Sequence, residues 1–389
     1  MFEIEAGHRE RALARVLAAL EDWIRLGLGY QVSNQGERLF DPVEVINRMK
    51  WAGYRGLDDF WADHFVATTR AFVREWDKVS REPTSVNRVP ERFSVGFRRR
   101  FHLDGITAGQ KLRLRLPLPL SQSSEDIVIE PMVAPELSAR IVQSEGRLDF
   151  QFAAPAEPAV EIAAKMTFTT SGYSCDVLAE DGVDIYLRGS DGLVRITPRI
   201  QALAKNLAGI DCNPLTAATT LFNHIIDDLM CGLVHYDQVD MEAPGDWVLE
   251  NGWYDCQLGS ALFVSLCRAH GIPARILSGH MLYRLAPGFH YWAEIWIDGK
   301  GWTPFDFLTW DLSKAGHDAS WRNFFAGAID YRMTTQCFPL MFTGPMSIRF
   351  PTAWHLVNAP SRGGMDVRFA GLDGRLIYCD SVSARSIAR

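Results

Sequence analysis

The sequence predicts a mixed α+β protein in three parts. These are a helical segment over 1–80, an antiparallel β-sandwich over 93–180 and an α+β unit over 193–389. Three observations lead there. Apolar residues recur at three- and four-residue steps in the first 80 positions. Between 93 and 172 they alternate at every second position in short runs separated by Gly, Ser, Asp and Pro. From 217 onward helical spacing returns, followed by a helix and then strands. The polar, two-proline stretch 78–92 and a Ser-, Gly- and Asp-rich stretch reaching Gly192 read as the linkers.

In the first part, Leu13, Val16, Leu17, Leu20, Trp23 and Ile24 form one apolar stripe, with Gly27 and Gly29 as the stop. Asp41-Pro42 reads as the start of a second helix carrying Val45, Ile46 and Met49. A third segment places Leu57, Phe60, Trp61, Phe65, Phe72 and Trp76 on roughly one face. The alternating runs SVGFRRRFHL, KLRLRLPLPL, EDIVIEPMV, ARIVQ, RLDFQF and VEIAAKMTFTT are the strands of the sandwich. Their alternation sends Arg98, Arg100, Arg113 and Arg115 outward, as a solvated sheet face or a docking patch for an acidic partner. In the third part, Ala217, Ala218, Leu221, Phe222, Ile225, Ile226 and Leu229 again have helical spacing.

Composition narrows the function. Of 389 residues 47% are hydrophobic and 22% charged, which is ordinary for a folded globular chain. Forty Lys and Arg stand against 47 Asp and Glu, a net charge of −7, so no basic footprint suggests nucleic acid. No run of 18 apolar residues marks a membrane span. The N-terminus has no signal-peptide pattern, and seven scattered cysteines without a C-x-x-C pair suggest neither a disulfide framework nor structural zinc. The expectation is therefore a reducing, cytoplasmic setting, without cofactor or metal. His224 with Asp227 and Asp228 has a spacing a metal could use, but no further ligand accompanies it.

The reactive constellation lies between 251 and 306. Leu258, Ala261, Leu262 and Leu266 form a buried helical stripe, ended by Gly271 and Pro273. Cys256 stands where this helix begins, so the helix dipole favours its thiolate, whereas Cys267 lies in the helix body and reads as core. In FHYWAEIWIDGKGWTPFD, His290, Trp292, Glu294 and Trp296 share one face of a strand that turns back at Asp298-Gly299. A loop over Ile297-Asp298-Gly299 opposes His290 to Asp306. A loop over Gly299-Lys300-Gly301 would part them by about 13 Å. The first register gives an imidazole–carboxylate pair, and thiol, imidazole and carboxylate together are the parts of a nucleophilic triad. The Cys256 N–H is a natural oxyanion donor, with Tyr254, Trp253 and Gln257 as candidates for a second. Trp292, His280, Tyr283 and Phe289 are candidate substrate contacts.

The order Cys–His–Asp resembles the transglutaminase-like superfamily of cysteine acyl-transfer enzymes. It is carried by DC opening a helix, then LFVSLCRAHGIPARILSG, then FHYWAEIWIDGKGWTPFD. The likeness spans roughly 205–345 and extends to FFAGAIDYRM. It implies a papain-like core, a helix carrying Cys packed on an antiparallel sheet carrying His and Asp. In that core Cys256 would be the nucleophile, His290 the base and Asp306 the orienting acid. Many bacterial members have Gly where Tyr254 stands. The expected activity is acyl transfer from a peptide, amide or acyl thioester to water or an amine, in the manner of a peptidase or amidase. The alternatives are an amide-forming acyltransferase fed by an acidic carrier protein, and a binding protein with a vestigial triad.

Overall fold

The computed structural model describes residues 6–41, 44–45, 47–48, 90–170, 183–190, 192–209, 213–240, 242–282, 288–307, 325–329, 331–338, 359–361, 364–373 and 376–387. Helix α1 (Ala6–Arg25) ends where Gly27 takes φ +71°. Its stripe is only half used. Val16, Leu20 and Trp23 pack with Phe40 and Val45, whereas Leu13 and Leu17 are 57% and 51% exposed. A two-residue pair, β1 (Gln31–Val32) with β2 (Arg38–Leu39), leads to a helical turn in which Asp41 Oδ1 accepts from the Glu44 N–H. The expected third helical segment lies outside the described residues.

The alternating runs are β3 (Glu91–His102), β4 (Lys111–Pro117), β5 (Glu125–Val133), β6 (Arg140–Ser144), β7 (Arg147–Ala153) and β8 (Ala159–Thr170). Alternation has its physical cause in the core. Phe93, Val95, Phe97 and Phe101 of β3 bury against Leu112, Leu114 and Leu116 of β4 and Leu148, Phe150 and Phe152 of β7. The outward arginines do not form one patch. Arg98 and Arg100 lie on the sheet containing β3, and Arg113 and Arg115 on the separate three-stranded sheet β4-β7-β6. The expected four-arginine face is thus divided between two sheets, because β3 and β4 pair with different partners.

Helices α2 (Pro198–Ala208), α3 (Pro214–Asp228) and α4 (Pro244–Asn251) gather around α5 (Cys256–Ala269), whose residues 256–268 are all buried. The short parallel pair β9 (Met230–Cys231) and β10 (Trp253–Tyr254) leads into α5. Strands β11 (Ala274–Met281), β12 (Phe289–Ile297), β13 (Gly301–Phe305) and β14 (Arg332–Cys337) form a sheet in the order β13-β12-β11-β14. One face of this sheet presents Ile276, Tyr291, Ala293, Ile295 and Phe305 to the helices.

The end of the chain returns to the sandwich. Strands β15 (Ala359–Ser361), β16 (Gly364–Asp373) and β17 (Leu376–Ser386) complete the six-stranded sheet β15-β16-β17-β3-β8-β5, with β17 antiparallel to β3. Arg99 and Asp380, opposite each other in that pairing, make a buried two-point ion pair at 2.7 Å. The two sheets of the sandwich and the four-stranded sheet touch: Leu282 and Met333 join the sandwich core, and the Leu120 N–H donates to Thr334 O. The helical segment is also pinned to this unit, since Asn47 donates to Leu233 O and accepts from its N–H, both at 2.8 Å. No helix among the described residues is long and apolar enough to cross a membrane.

Candidate active site

Cys256 is the first residue of α5. Its neighbour Asp255 is the cap, accepting the Leu258 N–H at 2.9 Å. The hairpin that brings His290 and Asp306 together differs from both expected registers. Ile297 pairs with Gly301, Trp296 with Trp302 and Glu294 with Pro304, around the loop Asp298-Gly299-Lys300. The Lys300 N–H closes the turn on Ile297 O, and Gly299 and Gly301 both take positive φ, 76° and 80°. Two glycines that can adopt left-handed backbone shift the turn by one residue on each strand. Asp306 thereby follows the strand at the level of Trp292, diagonal to His290 rather than opposite it. Such a diagonal spans about 7–8 Å between backbones, and the two side chains close it. His290 Nε2 lies 2.8 Å from Asp306 Oδ2, both groups fully buried.

β13 pairs with β12 as far as Phe305 and Ala293, and among the described residues no strand pairs with β12 beyond Ala293 on that side. Cys256 uses that side: the Tyr291 N–H donates to the sulfur and draws its acidity toward the thiolate. The opposing influences are larger. Burial pushes the Cys256 thiol well up from its ordinary range, and the Asp255 carboxyl adds to that. Burial thus works against the expected helix-dipole preference for thiolate. Asp255 itself is pushed up by burial, against the Leu258 N–H and the Tyr236 hydroxyl, which donates to Asp255 Oδ2 at 2.6 Å. Burial and Asp255 hold the Tyr236 phenol far up, so it remains the donor.

The remaining expected residues fall into distinct places. Tyr254 turns its ring into the core, against Phe307 and over Gly259, where any Cβ would come within 2.5 Å of the ring. Gln257 is buried and donates from Nε2 to the Tyr236 hydroxyl at 2.9 Å, while Trp253 is half-buried beside the helical core. Trp292 stacks on His290, with ring centroids 6.4 Å apart. His280 lies on the opposite face of the sheet, edge-on to Phe97 of the sandwich and to Phe289. Tyr283 lies outside the described residues. His224 pairs with Asp228 on α3 at 2.6 Å.

Sequence reasoning missed two neighbours. Tyr236 carried no motif; it follows β9, which pairs with β10 just before α5, and reaches Asp255 at the base of α5. Arg332 lies in the DYRM segment and was assigned no role there. In the fold its Nη1 is 2.6 Å from Asp306 Oδ2, with both side chains buried.

Residues 201–307 match the model of the transglutaminase-like superfamily. Over that stretch the chain is similar to a transglutaminase-like core. Among solved structures, a candidate cysteine protease from Cytophaga hutchinsonii aligns over 77% of this chain and 92% of its own, at 15% identity and a TM-score of 0.50. At that identity the likeness is one of fold. The periplasmic domain of TgpA from Pseudomonas aeruginosa aligns over 59% of this chain and 91% of its own, at 17% identity and a TM-score of 0.33. A red sea bream transglutaminase covers 51% of this chain and 48% of its own, at 12% identity and a TM-score of 0.26. No curated protein matches the sequence at a significant level.

Proposed function

We propose that this protein is a thiol-dependent acyl-transfer enzyme in which Cys256 attacks an amide or thioester, with His290 as base and Asp306 as its orienting acid. The observation that carries the reading is the state of His290. Its Nε2 is engaged by Asp306, while its buried Nδ1 has no hydrogen-bond partner among the described residues. An imidazole held in this way has one nitrogen fixed and the other ready for a proton.

The steps follow from the groups present. As the sulfur bonds to the acyl carbon, the S–H proton passes to Nδ1. The oxyanion forms at the N-terminus of α5, where the Cys256 N–H and the helix dipole oppose its charge. The proton then goes to the departing amine or thiol, leaving a thioester on Cys256. Water or an amine, deprotonated by the same Nδ1, attacks the thioester carbon; the C–S bond breaks and the departing Cys256 sulfur takes the proton back from Nδ1.

A second reading, an amide-forming acyltransferase fed by an acidic carrier protein, draws support from the three-stranded sheet. Lys111, Arg113, Arg115, Arg140 and Arg147 are exposed there around a single buried carboxylate, Asp149. That is strong positive charge on a chain of net charge −7.

Intact-protein mass spectrometry after incubation with peptide amides and with acyl thioesters tests both readings. Wild type should gain an acyl mass that Cys256→Ala does not, and the productive donor separates amidase from acyltransferase. Failure of every donor, together with unselective alkylation of the cysteines, would instead favour a binding protein with a vestigial triad.

A further inference from the structure

Residues 230–238 are gripped from two sides, and one of these supports the nucleophile. The Met230 and Gly232 N–H groups donate to Gly252 O and Tyr254 O, both at 2.8 Å. Tyr236 then reaches the two residues that flank Cys256. Its hydroxyl donates to Asp255 Oδ2 at 2.6 Å and accepts from Gln257 Nε2 at 2.9 Å. Burial, then Asp255 and then Cys256 hold the Tyr236 phenol up, so hydroxyl, carboxyl and sulfur lie within electrostatic reach of one another.

On the other side stands the N-terminal segment. Successive residues of extended backbone turn their N–H and C=O groups to opposite edges, so with Gly232 bonded to β10 the Leu233 groups face away from it. Asn47 takes both of them. Its Nδ2 donates to Leu233 O and its Oδ1 accepts the Leu233 N–H, each at 2.8 Å. A side-chain amide offers a donor and an acceptor as a peptide group does, so Asn47 pairs with this backbone as a neighbouring strand would. Asn47 is 1% exposed, and its approach requires a glycine. The three atoms nearest a Cβ on Gly232 all belong to Asn47, the first at 2.5 Å. Closer to Tyr236, His235 Nε2 lies 3.2 Å from Glu44 Oε1 and 3.5 Å from Asp41 Oδ1.

We infer that Asn47 is a positioning residue: through it the N-terminal segment acts as a strap that holds Tyr236, and with it Asp255 and Gln257, in place around the nucleophile. The inference rests on the acyl-transfer reading above and gives the N-terminal segment a part in that site. β10 ends at Tyr254, the partner of Cys231, so its pairing does not extend to Tyr236. The backbone leading there carries the Asn47 and His235 contacts instead. Precision at this point matters, because a displacement on the order of 1 Å between nucleophile and acyl carbon can cost about a hundredfold in rate.

A double-mutant cycle tests the strap. Iodoacetamide labelling of Cys256 at one fixed pH, read by peptide mapping, is compared in wild type, Asn47→Ala, Tyr236→Phe and the double variant. Each single change should speed labelling by about threefold or more as the buried sulfur loses its support, and the double variant should be no faster than Tyr236→Phe alone. Cys267, buried in the body of the same helix, should keep its wild-type rate throughout. With a donor found by mass spectrometry, Asn47→Ala should lower kcat/KM by about tenfold or more. Additive effects, an unchanged Cys256 rate in either single variant, or equal acceleration at Cys267 overturns the proposal. Should Asn47→Ala not fold, Gly232→Ala replaces it in the cycle with the same expected pattern, since its Cβ displaces the Asn47 amide at a position without positive φ. If no donor acylates wild type although the cycle shows the coupling, the acyl-transfer reading fails and the strap stands. Wild-type turnover without coupling is a failure of the strap alone.

Discussion

Asp255 caps α5 through the Leu258 N–H at 2.9 Å and takes the Tyr236 hydroxyl at 2.6 Å, and its carboxyl precedes the sulfur it makes harder to ionise. A carboxyl held above its ordinary 3.8 by burial binds a proton in the folded protein that the unfolded chain has released. Its contribution to stability is complete below the unfolded value and is lost as pH rises through the folded one. Asp255→Asn keeps a capping oxygen and removes the titration. Its melting temperature should therefore gain on wild type as pH rises from about 4 toward neutrality; a gap independent of pH would contradict this. The same change removes a negative charge beside Cys256, so alkylation at a fixed neutral pH should become faster. At Asp306 the expectation is catalytic: Asp306→Asn should lower turnover by roughly 10²–10⁴-fold through loss of the required tautomer. Steady-state kinetics with a donor found by mass spectrometry would measure it.

Among the elements, the β11–β14 contact positions Arg332, and it depends on one glycine. A Cβ on Gly279 would lie 2.0 Å from Met333 O, at the register shift between Ser278 and Gly279. Gly279→Ala must push the two strands apart. The expected cost is about 1–3 kcal/mol or more, seen as a lower denaturant midpoint. The β12–β13 hairpin teaches the complementary lesson. Its turn residues were legible, but the register was settled by Gly299 and Gly301 both taking positive φ. Side-chain reach then restored the His290–Asp306 contact.

At the scale of the whole molecule, the sandwich depends on strands distant in sequence. β17 lies between β16 and β3 in the six-stranded sheet, and Asp380 is the carboxylate for buried Arg99. Removing residues 359–389 strips three of six strands and leaves Arg99 buried without its partner, although 201–307 is untouched. Such a chain should be insoluble or aggregated on size exclusion. On the three-stranded sheet, Lys111→Glu/Arg140→Glu/Arg147→Glu leaves Arg113 and Arg115 to hold Asp149. This triple variant should bind a fluorescent poly-glutamate at least tenfold more weakly than wild type in anisotropy. Arg98→Glu/Arg100→Glu, on the other sheet, should not. Equal weakening by both variants would count against a specific acidic docking face.

What the sequence determined by itself is what depends on neighbouring residues. The six alternating runs are strands because pleated backbone buries every second residue, and α5 begins at Cys256 because Asp255 can cap it and a buried apolar stripe follows. The imidazole–carboxylate contact was legible too, since both residues lie on one hairpin. Tertiary structure decided what depends on distant residues meeting. It divided the arginines between two sheets, turned the Tyr254 ring into the core, brought Tyr236 to Asp255 and carried Arg332 to Asp306. It also set burial against the expected ionisation of Cys256. A helix dipole can be read from sequence, but the burial that pushes the thiol up exists only once the chain has closed around Cys256.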